Sequence, residues 1–266
     1  MTDVPSRRPP GTPCWASLMA HRADRALDFY GALFDWEFVP GPRQLGSYMI
    51  AVRDGQRVAG IGEGAAEPHR PVSWTTMFAS DDVDVAAELV RECGGTLGIG
   101  PLNADEEGRL AIAVDPSGAV FGIWQGGRLP GADVTGVPGT VAWSELTTRD
   151  SSLVAKFYQA VLGVETQSAP EGGADRMVVR IAGEPVAGVL GVGRDLPRDR
   201  GAHWTTYFAV ADTDAATARA AELGARVLEP PCASRHGRMA TVADPEGAAF
   251  ALITPARSPT GGSAED

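Results

Sequence analysis

The side chains with the widest chemical reach in this sequence cluster on two short apolar segments. Segment 141–147 carries Glu145 and Thr147, and segment 203–210 carries His203, Thr205 and Tyr207. A carboxylate held among apolar neighbours costs on the order of several kcal/mol unless it is paired or neutral. Paired with a cation such as Arg176, Glu145 is structural. Unpaired, its pKa would rise and it would serve as an acid or base. A base of that kind, with Tyr207 or Arg176 to stabilise an enolate, equips an isomerase, cyclase or lyase acting on a carbonyl compound. Other routes to chemistry are closed. The chain has no GxSxG elbow, phosphate loop, GxGxxG fingerprint or HExxH pair. Its three cysteines, Cys14, Cys93 and Cys232, are scattered and odd in number, which suits neither a disulfide framework nor a metal clip. His21, His69 and His236 fall in loop-like stretches, and Gly60-Ile61-Gly62-Glu63-Gly64 lies in strand-and-turn context.

These segments belong to a pattern written twice. Trp15, Phe29-Tyr30, Ala59-Gly60, Trp74, Gly108-Arg109 and Asp115-Pro116-Ser117-Gly118 form one ordered set. Trp143, Phe157-Tyr158, Ala187-Gly188, Trp204, Gly237-Arg238 and Asp244-Pro245-Glu246-Gly247 repeat it at a nearly constant offset of about 130 residues. Two tandem domains follow, 13–125 and 140–254, each long enough to bury a core of its own. Between them, 126–139 has the Gly and Pro content of a linker. Segments 1–12 and 255–266 have the composition of disordered tails.

Within each copy, local signals give a common order of elements. Strands at 14–20 and 141–147 lead into amphipathic helices, with Asp24 and Asp150 as the candidate caps. Three short strands follow, in the first copy near 36–39, 47–52 and 57–62. Strands at 72–79 and 203–210 then lead into helices that start near Asp82 and Asp212 and stop at Gly94 and Gly224. Three more strands close each copy, the last two joined by the Asp-Pro-x-Gly turn. The chain reads as βαβββ four times over, an α+β protein.

A net charge of −11 argues against a nucleic-acid partner, and the basic residues, all Arg except Lys156, form no patch. No apolar run approaches the ~20 residues that span a bilayer, and 1–13 lacks the apolar core of a secretory signal. A cytoplasmic protein, monomeric or homodimeric, is expected.

The order of elements, with Phe-Tyr early and Asp-Pro-x-Gly late, resembles the vicinal oxygen chelate superfamily. That group includes glyoxalase I, extradiol dioxygenases, fosfomycin-resistance enzymes and bleomycin-binding proteins. The resemblance covers about 14–125 and 141–254 and implies, for each copy, a curved sheet around a cavity. In the family's metalloenzymes three strand positions carry the ligands. Here they map to Trp15, Thr75 and Gly122 in the first copy and to Trp143, Thr205 and Ala251 in the second. Indole, Gly and Ala offer no donor and a Thr hydroxyl is a poor one, so neither a metal nor another cofactor is expected. Glu145 and His203 share a face with two of these positions, but no third donor accompanies them.

Alternation from the mapped positions names the inward residues. The first copy offers Trp15, Ser17, Met19, Tyr48, Thr75, Met77, Gly122 and Trp124. The second offers Trp143, Glu145, Thr147, Arg176, Thr205, Tyr207, Ala251 and Ile253. Trp74 and Trp204 point the other way, into the core. Trp15 and Trp143 read equally as plugs of a lost metal site, and Trp124 as a residue peculiar to the first copy. Two functions remain open. One is binding of a hydrophobic or aromatic small molecule, in resistance or in secondary metabolism such as the aromatic polyketide pathways that the resemblance suggests. The other is metal-independent catalysis with Glu145 as base and Tyr207 as its partner.

Overall fold

The computed structural model describes residues 8–64, 71–169, 175–196, 198, 200–234 and 236–256. The first half forms β1 (Pro13–Ala20), α1 (Ala23–Phe34), β2 (Glu37–Pro40), β3 (Met49–Arg53), β4 (Gln56–Glu63), β5 (Trp74–Ala79), α2 (Val83–Glu92), β6 (Thr96–Ala104), β7 (Gly108–Val114) and β8 (Val120–Gly126). The second half repeats it as β9 (Val141–Thr148), α3 (Ser151–Leu162), β10 (Glu165–Ser168), β11 (Asp175–Ile181), β12 (Glu184–Gly191), β13 (His203–Ala209), α4 (Thr213–Glu222), β14 (Arg226–Ser234), β15 (Gly237–Ala243) and β16 (Ala249–Pro255). Each half is one mixed eight-stranded sheet, in the orders 2-3-4-1-5-8-7-6 and 10-11-12-9-13-16-15-14. The architecture is therefore α+β with four βαβββ modules. No helix among the described residues is long and apolar enough to cross a membrane.

Both helix-bearing cores are shared between the copies. Tyr30 and Phe34 of α1 lie in one apolar cluster with Phe208, Phe250 and Leu252 of the second copy, while Phe157 and Tyr158 of α3 pack with Phe78 and Phe121 of the first. The repeated landmarks explain this crossing. Trp74 Nε1 donates to the Tyr30 hydroxyl at 2.9 Å, and that hydroxyl donates to Asp244 Oδ2 in the other copy's Asp-Pro-x-Gly turn at 3.0 Å. Trp204, Tyr158 and Asp115 make the same relay in the opposite direction, at 2.9 Å for each bond. Within each turn the Asp Oδ1 accepts backbone N–H groups from the residues two and four positions on. One carboxylate thus shapes its own turn with one oxygen and anchors the other copy's helix with the second.

Capping differs from expectation at one helix. Asp82, Asp150 and Asp212 cap α2, α3 and α4 through their side chains. Asp24, however, lies inside the first turn of α1, whose cap position is Arg22. The free N–H groups of His21 and Arg22 instead reach Glu246 of the second copy, at 2.7 and 2.9 Å. An acceptor from across the interface does the work of a local cap.

The segments flanking the first sheet are also tied down. Gly11 N donates to Ala79 O and Ala79 N to Thr12 O, so residues 8–12, expected in a tail, are hydrogen-bonded to the end of β5. In the expected linker, Leu129 and Ala132 are buried and Trp36 Nε1 bonds Gly139 O. Short polar segments order here because each finds backbone partners and an apolar surface to cover. Residues 1–7 and 257–266, with His69, lie outside the described residues.

The pseudo-symmetry is imperfect at the centre. Thr76 Oγ1 donates to Ser144 Oγ at 3.2 Å. The residue matching Ser144 is Ala16, and Thr206 Oγ1, which matches Thr76, is buried with no partner among the described residues. Thr206→Val should therefore raise stability by up to ~1 kcal/mol, since it removes an unmet hydroxyl and keeps its shape. Tyr30→Phe or Tyr158→Phe should lower it by roughly 1–3 kcal/mol by stranding a buried carboxylate and an indole N–H. Urea unfolding followed by fluorescence and circular dichroism measures both effects, and the two probes should stay coincident because neither core belongs to one copy alone.

Candidate functional site

The face of each sheet turned away from its helices holds the residues that the sequence marks as inward. In the first copy Trp15 pairs with Met77 and Met77 with Gly122, while Ser17 pairs with Thr75. In the second copy Trp143 pairs with Tyr207 and Tyr207 with Ala251, while Glu145 pairs with Thr205. The same rungs carry different chemistry.

In the first copy the face is filled by its own side chains. Trp15, Tyr48, Met77 and Trp124 are each at most 7% exposed, and Trp15, Met77 and Trp124 form an apolar cluster with Ile50, Leu110 and the linker's Leu129. Every polar atom they bring is used internally. Trp15 Nε1 donates to the Tyr48 hydroxyl at 3.0 Å, Ser17 Oγ lies 3.0 Å from that hydroxyl, and Trp124 Nε1 donates to Leu129 O at 2.7 Å. The glycines make this packing possible. A Cβ on Gly60 would stand 2.0 Å from the Tyr48 hydroxyl, and one on Gly122 would stand 1.9 Å from Met77 Sδ. Met19 remains at the edge, 43% exposed. A groove of about 580 Å³ runs along the rim between Pro40, Arg43, Asp105 and Arg128. None of Trp15, Tyr48, Met77 or Trp124 lines it.

In the second copy the corresponding positions stay half-buried: Trp143, Glu145, Thr147, Arg176, Thr205 and Tyr207 all keep contact with solvent. Arg176 Nη1 donates to Glu145 Oε2 at 3.0 Å, and the Tyr207 hydroxyl stands 3.5 Å from Glu145 Oε1. Burial first and the Glu145 carboxylate second push the Tyr207 phenol well above its ordinary value, so it remains a protonated donor. Further along the rung, Thr241 Oγ1 donates to Glu229 Oε2 at 2.8 Å. Alternation does not name Glu229, because β14 carries irregular register beside β15; Thr241 lies on β15, opposite Ala251. His203 pairs with Thr147 across the strands, and its Nδ1 lies 2.8 Å from Gly201 O.

The donor set does not fit the family's metal. Trp15 and Trp143 supply indoles, Met77 rests in the space over Gly122, and Ala251 has no donor atom. Among the described residues no three His, Cys, Asp or Glu side chains converge, so Glu145 and His203 gain no third ligand.

Comparison with known proteins accords with this architecture. Residues 143–253 match the family model described as a glyoxalase-like domain. The anthracycline biosynthesis protein DnrV of Streptomyces peucetius is 36% identical over 265 residues, covering 93% of this chain and 94% of its own. The chain belongs to the glyoxalase-like group of the vicinal oxygen chelate superfamily. CFP32 of Mycobacterium tuberculosis strain CDC 1551 is likewise 36% identical over 256 residues, covering 92% of this chain and 95% of its own. Among solved structures, the Mn(II)-bound glyoxalase from Novosphingobium aromaticivorans superposes with a TM-score of 0.62 at 15% identity, over 94% of this chain and 83% of that one. That last likeness is one of fold.

The filling of the first face makes a direct prediction. Met77→Ala should cost roughly 2–5 kcal/mol of stability, as a buried Met truncated beside a glycine leaves a void that the sheet cannot close. Its effect should appear in thermal or urea unfolding.

Proposed function

We propose that this glyoxalase-like protein binds a hydrophobic, aromatic small molecule on the helix-free face of its second domain, without a family-type metal, in the service of small-molecule biosynthesis. One observation carries the reading. At matched positions, the first face is closed by side chains that satisfy one another, while the second presents an indole, a guanidinium, a carboxylate and hydroxyls to solvent. Half-buried Trp143 offers a flat apolar surface, and Arg176, Thr147, Thr205 and Tyr207 offer a few orienting donors, the usual make-up of a small-molecule site. The names of the Streptomyces relatives, which place them in anthracycline biosynthesis, support an aromatic ligand. The 3.0 Å bond from Arg176 weighs against Glu145 as a free base and favours recognition over acid–base turnover.

Titration with an anthracycline, followed by calorimetry, tests the reading. Trp143→Ala and Arg176→Ala should each weaken binding by about tenfold or more, the loss of one stacking or charged contact, with the ligand recovered unchanged. Binding that survives both substitutions but is lost in Trp124→Ala would move the site to the first domain. Consumption of the ligand that stops in Glu145→Gln would replace binding with catalysis.

A further inference from the structure

The chain contains its own model of a ligand. In the first domain the Tyr48 phenol lies over Gly60 and Gly62, its hydroxyl held by Trp15 Nε1 and Ser17 Oγ. That arrangement is a hydroxylated aromatic ring bound in a pocket, except that the ring belongs to the protein. The second domain keeps the indole and the first of the two glycines and lacks the ring. Trp143 matches Trp15, Gly188 matches Gly60, and Glu145 stands in place of Ser17, while Arg176 replaces Tyr48 itself.

The hydrogen-bonding inventory agrees. Five of the six tryptophans have an acceptor for Nε1. Trp143, the sixth, has none among the described residues, although its match in the first domain is bonded. A Cβ on Gly188 would stand 3.2 Å from Trp143 Nε1 and 3.0 Å from Glu145 Oε2, so an indole donor and a carboxylate acceptor face one small space. Arg176 does not fill that space as Tyr48 fills its counterpart. It turns to Glu145 instead and neutralises the carboxylate. Leu190 stands where the first domain has Gly62 and lies opposite Arg176.

We infer that the second domain seats a phenol: the hydroxyl of an aromatic ligand occupies the space over Gly188, with Trp143 Nε1 donating to its oxygen and Glu145 accepting its hydrogen. The pairing of one donor with one acceptor selects a hydroxyl over an ether, which cannot donate, and over a bare ring, which can do neither. The inference rests on the binding face proposed above and adds the chemical class that the face recognises.

Calorimetric titration with 1-naphthol and 1-methoxynaphthalene at neutral pH tests it, in the wild-type protein, Trp143→Phe and Gly188→Ala. The expected result is wild-type affinity for 1-naphthol on the order of tenfold above that for the ether, the worth of a charge-assisted hydrogen bond. Both variants should erase that preference, Trp143→Phe by removing the donor and Gly188→Ala by filling the seat. Either variant alone decides the matter if the other fails to fold. Equal wild-type affinities for the two probes would overturn the phenol seat and leave the aromatic-binding face standing. A preference that persists in a folded variant would also overturn the seat. Failure of both probes to bind would overturn the seat and the face together.

Discussion

A fully buried tyrosine hydroxyl must find a partner, and in this protein the partner lies in the other copy. Tyr30 and Tyr158 are at most 2% exposed, and each donates to an aspartate more than forty residues away in sequence and across the domain boundary. The constraint fixes the whole arrangement. Helices α1 and α3 are clamped between their own sheet and the other copy's closing turn, so the helix-bearing faces meet in shared cores and the other face of each sheet turns away from them. Each domain's core is finished by its neighbour, and Glu246 even completes the cap of α1.

With the frame held from behind, the two helix-free faces were free to take different chemistry. The first became a third core: an indole, a phenol and a thioether close over glycines, and their polar atoms are satisfied within the cluster. The second kept an ion pair, hydroxyls and an indole in contact with solvent. All four tyrosines of the chain divide along these lines. Two lock the domains, one fills the first face, and one stands in the second beside Glu145.

Much of this was legible in the sequence, and the rest was not for identifiable reasons. The repeat, the four modules and the inward direction of Trp15, Trp143, Glu145 and Tyr207 follow from periodicity and turn chemistry, which are local properties. The Tyr30–Asp244 bond spans 214 residues, and no local pattern encodes a partner at that distance. The cap of α1 was misplaced because Asp24 fits the local rule while the true acceptor, Glu246, comes from the other copy. Alternation could say that Tyr48, Met77 and Trp124 face inward. It could not say that they close the face, which depends on the room left over Gly60 and Gly122 and on Leu129 folding back from the linker. The sequence leaves Glu145 either paired with Arg176 or free as a base, because alternation puts both side chains on one face without fixing their distance; the structure has the pair.

The central claim is that the second face is open and the first is closed by its own side chains. A crystal structure of the protein with a bound aromatic ligand measures this most directly. The account predicts ligand density against Trp143 and Arg176, with the Trp15–Tyr48 hydrogen bond intact in the other domain. Density in the first domain, with Tyr48 or Met77 swung out of its glycine seat to admit the ligand, would contradict it.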